Sequence, residues 1–378
     1  MKAYIVKGGY ISAESFKAPE FLPVSFYGYI DWVSKVENYK PKKNFKYYRK
    51  LAPVLKCVIK LMDELDIEEI IRENSSNKIA VAVAGKLDAE RDRLTVEAYE
   101  NVDKISPSDG FIITHNLLNF LIASYLGIKY YRGIGIDHVC TSGLDLLGIA
   151  KDLVEEGYEI VIALAINSLA TPIRTGYHKN LQVLSKSGKI RPFDIDRDGT
   201  IFADAIAMAV VVSESMINGL KLKPLGRILN YSTLSSSYHM FSMDEEGYEL
   251  EYTVGETVKG IDVKEAIIKA HATGTRLNDY VEAKVYARLF GDSVPVTALK
   301  PIFGHTLTAS GLIETLYLLE YLSDKGKIPP IRNTTRVDPD CDRIRLVLEE
   351  ENFDGKYIIS VASAFGGFYS SMAIEVIR

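Results

Sequence analysis

The stretch YYRGIGIDHVCTSGLDLLGIAKDLVEEGYEIVIALA (residues 130–165) decides the fold. A short β-branched run, a segment that opens on small residues and carries apolar side chains at helical spacing, and a second apolar run follow one another, with Gly157 as the natural stop of the helix. This reads as strand, helix (141–157), strand, with the second strand buried. Other strand-like runs are IAVAVAG (79–85), PVTALK (295–300) and KYIISVAS (356–363), beside YEIVIALA (158–165). Helices are expected at 115–127, 278–291 and 308–326, ending at Gly127, Gly291 and Gly326. Repetition of this pattern through both halves predicts an α/β architecture with helices on the faces of buried sheets. No Pro/Ser-rich linker, short-period repeat or low-complexity tract divides the chain, so one continuous unit is favoured.

The 378 residues are 47% hydrophobic and 25% charged, the balance of a globular protein able to bury a large core. Basic residues number 45 against 50 acidic ones, and a net charge of −5 argues against broad attraction to nucleic acid or anionic membrane. Cys57, Cys140 and Cys341 are far apart and lack metal-ligand spacing, which points to neither a disulfide framework nor a metal site and suits a reducing cytoplasm. The opening MKAYIVKGGYISAESF is interrupted by Lys7 and two glycines, and no segment reaches the ~18 apolar residues of a membrane helix, so neither export nor membrane insertion is expected.

Cys140 lies between a strand and a helix that starts TSG. A thiol at a helix N-terminus meets the positive end of the dipole, which favours the thiolate; a buried apolar cysteine is the plainer alternative. His271 in KAHATGTRLND and His305 in LKPIFGHTLTASG each occupy a Gly/Thr loop before a helix. Loops at strand ends are where α/β enzymes keep their chemistry, although a lone histidine is as readily a hydrogen-bonded structural residue. The fold can bring one cysteine and two histidines together from distant positions. DIDRDGTIFADA (194–205) imitates a calcium loop at Asp194, Asp196, Asp198 and Gly199 but has Ala205 where the bidentate glutamate belongs, so a charged turn is expected. GIGIDH (133–138) lacks the last glycine of a dinucleotide loop, and no phosphate loop occurs. The run 39–56 collects Lys40, Lys42, Lys43, Lys46, Arg49 and Lys50 among aromatics, either a solvated face or a docking patch for an acidic protein.

Taken in order, these motifs resemble the β-ketoacyl synthase (condensing enzyme) family of the thiolase superfamily. CTSG around Cys140 is similar to the nucleophile motif, RPFDIDRDG (191–199) to R-P-F-D-x-x-R-D-G, and HATGTRLND (271–279) to H-G-T-G-T-x-x-N-D. KPIFGHTLTASGLIE (300–314) resembles K-x-x-x-G-H-x-x-x-A-x-G-x-x-E, and AFGG (364–367) the late G-F-G-G motif.

The resemblance implies an α/β thiolase-like layered fold (α-β-α-β-α) from two pseudo-duplicated halves: residues 1–225 with the nucleophilic cysteine and 226–378 with both catalytic histidines. It implies a β-ketoacyl-[acyl carrier protein] synthase that performs decarboxylative condensation. Cys140 takes the acyl group, His271 and His305 assist malonyl decarboxylation, and Lys300 with Glu314 orders the histidines. Backbone N–H groups of Cys140 and Phe365 form the oxyanion hole and Phe365 gates the pocket. Thr273 and Thr275 bond the phosphopantetheine arm, with Gly366 and Phe368 at the substrate entrance. No bound cofactor is implied beyond that arm, which belongs to the substrate carrier. Acyl carrier protein is the implied partner, docking on Lys43, Lys46, Arg49 and Lys50, and the enzyme pairs as a homodimer or with a ketosynthase homologue.

Departures from the pattern are Ala272 for a glycine, Arg276 for a common proline, FADAIA (202–207, with Ala203 and Asp204) for G-E-G-A-G, and Phe368 and Tyr369 for Thr and Asn. The lost glycines predict less close backbone packing. The extra rings suit a flat conjugated acyl chain, as in aryl polyene, pigment or related lipid synthesis. The alternative is a chain-length-determining partner subunit, against which the retained Cys140 counts. An initiating synthase using coenzyme A thioesters would carry a second cysteine or an Asn for one histidine, and neither substitution occurs.

Overall fold

The computed structural model describes residues 1–72, 78–114 and 117–378. His115 and Asn116, the first two residues of the helix expected at 115–127, lie outside the described residues; the helix is described from Leu117 to Leu126. The other expected helices form over Ser142–Glu155, Arg276–Phe290 and Ser310–Lys325. Gly291 and Gly326 close the last two with positive φ and an N–H bonded back to Ala287 and Leu322.

The strands are β1 (Ala3–Ser12), β2 (Ile79–Leu87), β3 (Arg132–Ile136), β4 (Ile160–Ser168), β5 (Ala205–Ser213), β6 (Gly226–Ser235), β7 (Ala266–Lys269), β8 (Pro295–Thr297), β9 (Lys327–Ile328), β10 (Arg345–Leu346), β11 (Glu351–Asn352), β12 (Tyr357–Ala364) and β13 (Phe368–Val376). PVTALK keeps only its first three residues as strand, because Pro301 favours the first turn of the short Lys300–Phe303 helix. Eleven strands run in the order β10-β8-β7-β12-β13-β6-β1-β5-β4-β2-β3, and β9 pairs with β11 apart from them.

Two five-strand sets within this order repeat. In β3-β2-β4-β5-β1 the first three strands are parallel and the last two antiparallel to their neighbours. In β8-β7-β12-β13-β6 the directions are the same. Only three residue pairs, Ala3↔Ile228 to Ile5↔Gly226, join the sets.

Strand alternation explains the layering. In β2, β4 and β5 the small residues Ala80, Ala82, Ala163, Ala165, Ala207 and Ala209 face one core, with Leu144, Leu147, Leu312 and Leu316 of the helices Ser142–Glu155 and Ser310–Lys325. The larger Val81, Ile162, Leu164, Met208 and Val210 face the other way, onto the helices Pro53–Glu64 and Leu117–Leu126. A third core packs Ile268, Val296 and Val361 against the helices Tyr248–Thr257 and Arg276–Phe290. Two helices are therefore sandwiched between the strand sets, with helices outside each set: a thiolase-like α-β-α-β-α arrangement. The alanine-faced strands let the central helices sit close. Among the described residues no helix is long and apolar enough to cross a membrane.

Candidate active site

Cys140 sits where the chain turns from β3 into a central helix. Val139 adopts φ +51°, starting a 3-10 turn over Val139–Thr141 that runs into the Ser142–Glu155 helix. Side chains lock this turn: Ser142 Oγ accepts from the His138 N–H at 2.9 Å, and Thr141 Oγ1 donates to His138 O at 2.9 Å and to Asp145 Oδ2 at 2.8 Å. Asp145 is fully buried and also accepts from the Tyr231 hydroxyl at 2.8 Å and from Ser370. The elbow is therefore anchored to β6 and β13, across the molecule.

The thiol is 4% exposed, and burial pushes it up to about 12, with Lys300 and Lys86 opposing. Of the two sequence readings this favours the plainer one, a buried cysteine held as the neutral thiol, so its deprotonation needs a base. The supply of bases is close. Cys140, His271 and His305 line one cavity of about 210 Å³.

His271 follows β7, and Glu282 of the next helix accepts its backbone N–H at 2.7 Å and that of Ala272 at 2.5 Å. Ala272 is held at φ +42°, the left-handed conformation that a glycine would adopt without strain. Lys300 Nζ donates to His271 O at 2.5 Å and lies 3.4 Å from His271 Nδ1. A donor at Nδ1 leaves the ring proton on Nε2. His305 is bound through its backbone to Ile201 and Ala203, with Nδ1 3.1 Å from Ser310 Oγ. The two imidazoles meet edge to face, with centroids 5.3 Å apart. Burial first, then Lys300, holds both well below the ordinary imidazole range, so both are neutral at pH 7. Neutral imidazole can take a proton or donate an N–H.

Lys300 and Glu314 form an ion pair at 3.0 Å, with both side chains fully buried. Lys269, which sequence reasoning missed, occupies the other Glu314 oxygen at 3.0 Å. Its signal was visible as a lysine inside the apolar strand AIIKA, two residues before His271. His178 was also missed. Its buried ring stacks on Phe202 at 3.8 Å, and Phe202 in turn stacks on His305 at 5.3 Å.

Thr273 and Thr275 line the cavity with their hydroxyls 2.9 Å apart. Phe365 lines it too, edge to face with Phe241 at 6.0 Å. The hairpin after β12 is clamped by Gly366 N–H to Met240 O at 2.9 Å and Ser236 N–H to Gly367 O at 2.8 Å. Phe368 departs from expectation: it stacks on His138 at 5.1 Å and does not line the cavity, whereas Tyr369 does. Gly366 likewise shapes the hairpin, with φ +83°, without lining the cavity.

Close packing around FADAIA survives the loss of glycines, another correction. Ala203 faces Gly28 and Gly304, where an added Cβ would come within 2.4 and 2.7 Å of the Ala203 methyl. The glycines stand on the opposing segments instead, Gly28 at an isolated bridge to Ala203 and Gly304 just after the Lys300–Phe303 helix. Asp204 accepts from Leu169 N–H at 2.9 Å and the Tyr27 hydroxyl at 3.2 Å. The charged turn forms as expected: Asp194 accepts backbone N–H groups of Asp196, Thr335 and Arg336. Arg197 pairs with Asp338 at 2.5 Å, and Asp279 accepts from Phe193 N–H at 2.9 Å and Gly274 N–H at 3.2 Å. RPFD and HATGT are thereby bound to each other.

The basic run is less free than its composition suggests. Lys42 pairs with Asp66, and Lys43 pairs with Glu68 at 2.9 Å while lying 4.8 Å over the Tyr125 ring. Lys46 lies 4.7 Å over Tyr47, and Arg49 and Lys50 are exposed.

The layered fold with a cysteine and two histidines at one cavity defines a class, and the family comparison agrees. The β-ketoacyl synthase N-terminal domain matches residues 28–216 and the C-terminal domain residues 225–335, so the chain belongs to the β-ketoacyl synthase family. It is similar to the actinorhodin polyketide putative β-ketoacyl synthase 1 of Streptomyces coelicolor, 29% identical over 290 residues, 71% of this chain and 61% of that protein. It is 30% identical over 251 residues to the tetracenomycin polyketide synthase ketoacyl synthase alpha subunit of Streptomyces glaucescens, covering 62% of this chain and 58% of that one. The match thus spans about 60% of the length of these curated relatives. Among solved structures, a β-ketoacyl synthase from Burkholderia phymatum STM815 superposes with TM-score 0.82 at 20% identity, covering 100% of both chains. A ketosynthase in complex with its chain length factor, from Xenorhabdus doucetiae, gives TM-score 0.79 at 19% identity, covering 99% of this chain and 98% of that one. At these identities the likeness is one of fold.

Proposed function

We propose that this protein is a β-ketoacyl-[acyl carrier protein] synthase acting in the cytoplasm. The observation that carries the reading is the convergence of Cys140, His271 and His305 on one cavity. In the first half-reaction the Cys140 sulfur attacks a carrier-bound acyl thioester, its proton passes through a neutral imidazole, and the carrier leaves as free thiol. In the second, a malonyl thioester loses carbon dioxide and the resulting enolate carbon attacks the acyl carbonyl. The Cys140–acyl bond breaks, the β-ketoacyl carrier thioester departs, and the thiolate takes up a proton from water through a neutral imidazole. N–H donors from His271 and His305 stabilise the enolate oxygen, where charge appears only in the transition state. The backbone N–H groups of Cys140 and Phe365 serve the tetrahedral intermediate, with Phe365 as gate.

Lys300 and Glu314 hold His271, and Thr273 and Thr275 take the phosphopantetheine arm. Residues 1–225 and 226–378 act as the two halves of one catalytic unit, a division supported by the repeated strand order. The chain pairs with a second copy or a ketosynthase homologue. Acyl carrier protein docks on the basic run, where Lys46, Arg49 and Lys50 carry more of the contact than Lys43, which Glu68 engages. Reversing those three charges raises the KM for carrier protein; an unchanged KM moves docking elsewhere.

Four rings, Phe202, Phe241, Phe365 and Tyr369, line the cavity and favour a flat conjugated acyl chain. Profiling with carrier-bound substrates is expected to favour polyenoyl over saturated groups, and the reverse order removes that specialisation. The decisive experiment is intact-mass spectrometry after incubation with acyl and malonyl carrier proteins. Acyl loading and condensation are expected for the wild type and neither for Cys140→Ala. Condensation that appears only on adding a ketosynthase homologue, with the acyl group found on the homologue's cysteine and none on Cys140, assigns the chain to the partner-subunit role instead.

A further inference from the structure

Glu314 lies between two lysines from different elements. Lys300 comes from the turn after β8 and takes Oε1 at 3.0 Å; Lys269 comes from β7 and takes Oε2 at 3.0 Å. Lys269 Nζ also donates to Val361 O in β12 at 2.9 Å. All three side chains are at most 1% exposed. A lone buried Lys–Glu pair is neutral as a unit. With both lysines protonated on the same carboxylate the cluster carries one excess positive charge, a state that burial of Lys269 opposes and Glu314 supports, and Lys300 contacts His271 directly.

We propose that Lys269 is a positioning residue of this site. It fixes Glu314 and neutralises it, so that the Lys300 charge remains directed at the imidazoles, keeping them neutral and favouring the enolate that forms beside them. The catalytic part of this role rests on the condensing-enzyme reading; the electrostatic part does not.

The surroundings of the histidines support the assignment. His271 is faced by Lys300, Lys269, His305 and Cys140, and its backbone N–H by the Glu282 carboxylate of the Arg276–Phe290 helix. Asp279 of the same helix binds the Gly274 N–H further along the loop. His305 is faced by Lys300 and Lys269, by Ser310 at Nδ1, and by His178 behind the Phe202 ring. The one carboxylate touching Lys300 is the one that Lys269 shares. Removing Lys269 therefore leaves Glu314 to cancel Lys300 alone, and the imidazoles become easier to protonate.

Imidazole nitrogen NMR on the intact protein tests this without requiring turnover. In the wild type, the His271 and His305 signals are expected to stay neutral across roughly pH 5 to 8. In Lys269→Met their protonation midpoints rise by about 1 pH unit or more. In Lys269→Met/Glu314→Gln, which restores the charge count, the midpoints return toward the wild type. Where the single variant does not fold, Glu314→Gln is compared with the double variant, which must titrate higher. Unchanged midpoints on removing Lys269, or a double variant that titrates like the single, overturn the proposal.

Malonyl decarboxylation is measured alongside. In Lys269→Met its kcat is expected to fall about tenfold, a pK-sized effect, with KM for malonyl carrier protein unchanged and the acid limb of the profile displaced upward. If no protein decarboxylates malonyl carrier protein, the functional reading fails while the titrations still decide the electrostatic role of Lys269.

Discussion

Two segments, Val139–Gly143 and Leu307–Gly311, enter the two central helices by the same path. Each begins with a residue at positive φ, +51° at Val139 and +44° at Leu307, passes through a 3-10 turn, and continues into the helix with Ser-Gly. The glycines touch reciprocally: an added Cβ on Gly143 would lie 2.7 Å from the Leu312 nitrogen, and one on Gly311 2.6 Å from the Leu144 nitrogen. Yet the second residue of each segment has a different fate. Cys140 faces the cavity, whereas Thr308 is sealed, its hydroxyl donating to Ile166 O at 2.7 Å. Repetition of a backbone supplied two elbows; the cavity opens before only one. In the other half the imidazole that lines the cavity comes earlier, at His305, two residues before the turn.

The sharpest way to break this comparison is to exchange the elbows' side chains. Cys140→Ala is expected to abolish acyl-enzyme formation by intact mass with the fold retained, while Thr308→Val loads normally and loses about 1–3 kcal/mol of stability for its stranded carbonyl partner. If Thr308→Val also failed to load, the second elbow would belong to the chemistry as well. Next in size, Gly143→Ala and Gly311→Ala should each lower stability by about 3 kcal/mol, measured by denaturant unfolding. Near-equal losses confirm reciprocal contact, and a loss at one alone breaks the symmetry.

A third effect depends on pH and touches only the His305 side. Burial lowers His178 to about 4, below the ordinary imidazole value of 6.5. The unfolded chain therefore binds the proton first as pH falls. The stabilisation is complete above about 6.5 and is lost progressively down to about 4. His178→Phe should retain the stack on Phe202 and flatten that acid limb, reducing the loss at pH 4 by on the order of 3 kcal/mol. An unchanged slope in melting temperature against pH would show that His178 is not buried neutral. The smallest change is Ala272→Gly, which relieves the left-handed alanine beside His271 and should stabilise by about 1 kcal/mol. Destabilisation would mean that the methyl packs better than its backbone suggests.

Much of this site was legible beforehand because its residues sit in short local patterns. CTSG and HATGT each mark a strand end followed by a helix and FGHTLTASG a one-turn helix followed by another, and the structure brings their Cys140, His271 and His305 to one cavity. What local pattern could not show was direction. Phe368 and Tyr369 are neighbours on β13, and strand alternation sends one ring to His138 and the other to the cavity. Composition likewise marked the basic run but not its partners, since Asp66 and Glu68 come from beyond the next helix. The state of the Cys140 thiol stayed open between two sequence readings for a related reason: helix position is local, whereas desolvation depends on everything packed around the sulfur.

The amino-acid order alone determined the alternation of strands and helices and the elbow before Ser142, because periodicity and small-residue turns act over a few residues; the choice of Cys140, His271 and His305 came from the family resemblance of their motifs. Only the tertiary structure decided that Lys269 and Lys300 share Glu314, that Ala203 is accommodated by Gly28 and Gly304, and which elbow meets the cavity. Those outcomes depend on contacts between strands and helices far apart in the chain, where charge, volume and exposure are set by the neighbours rather than by the residue itself.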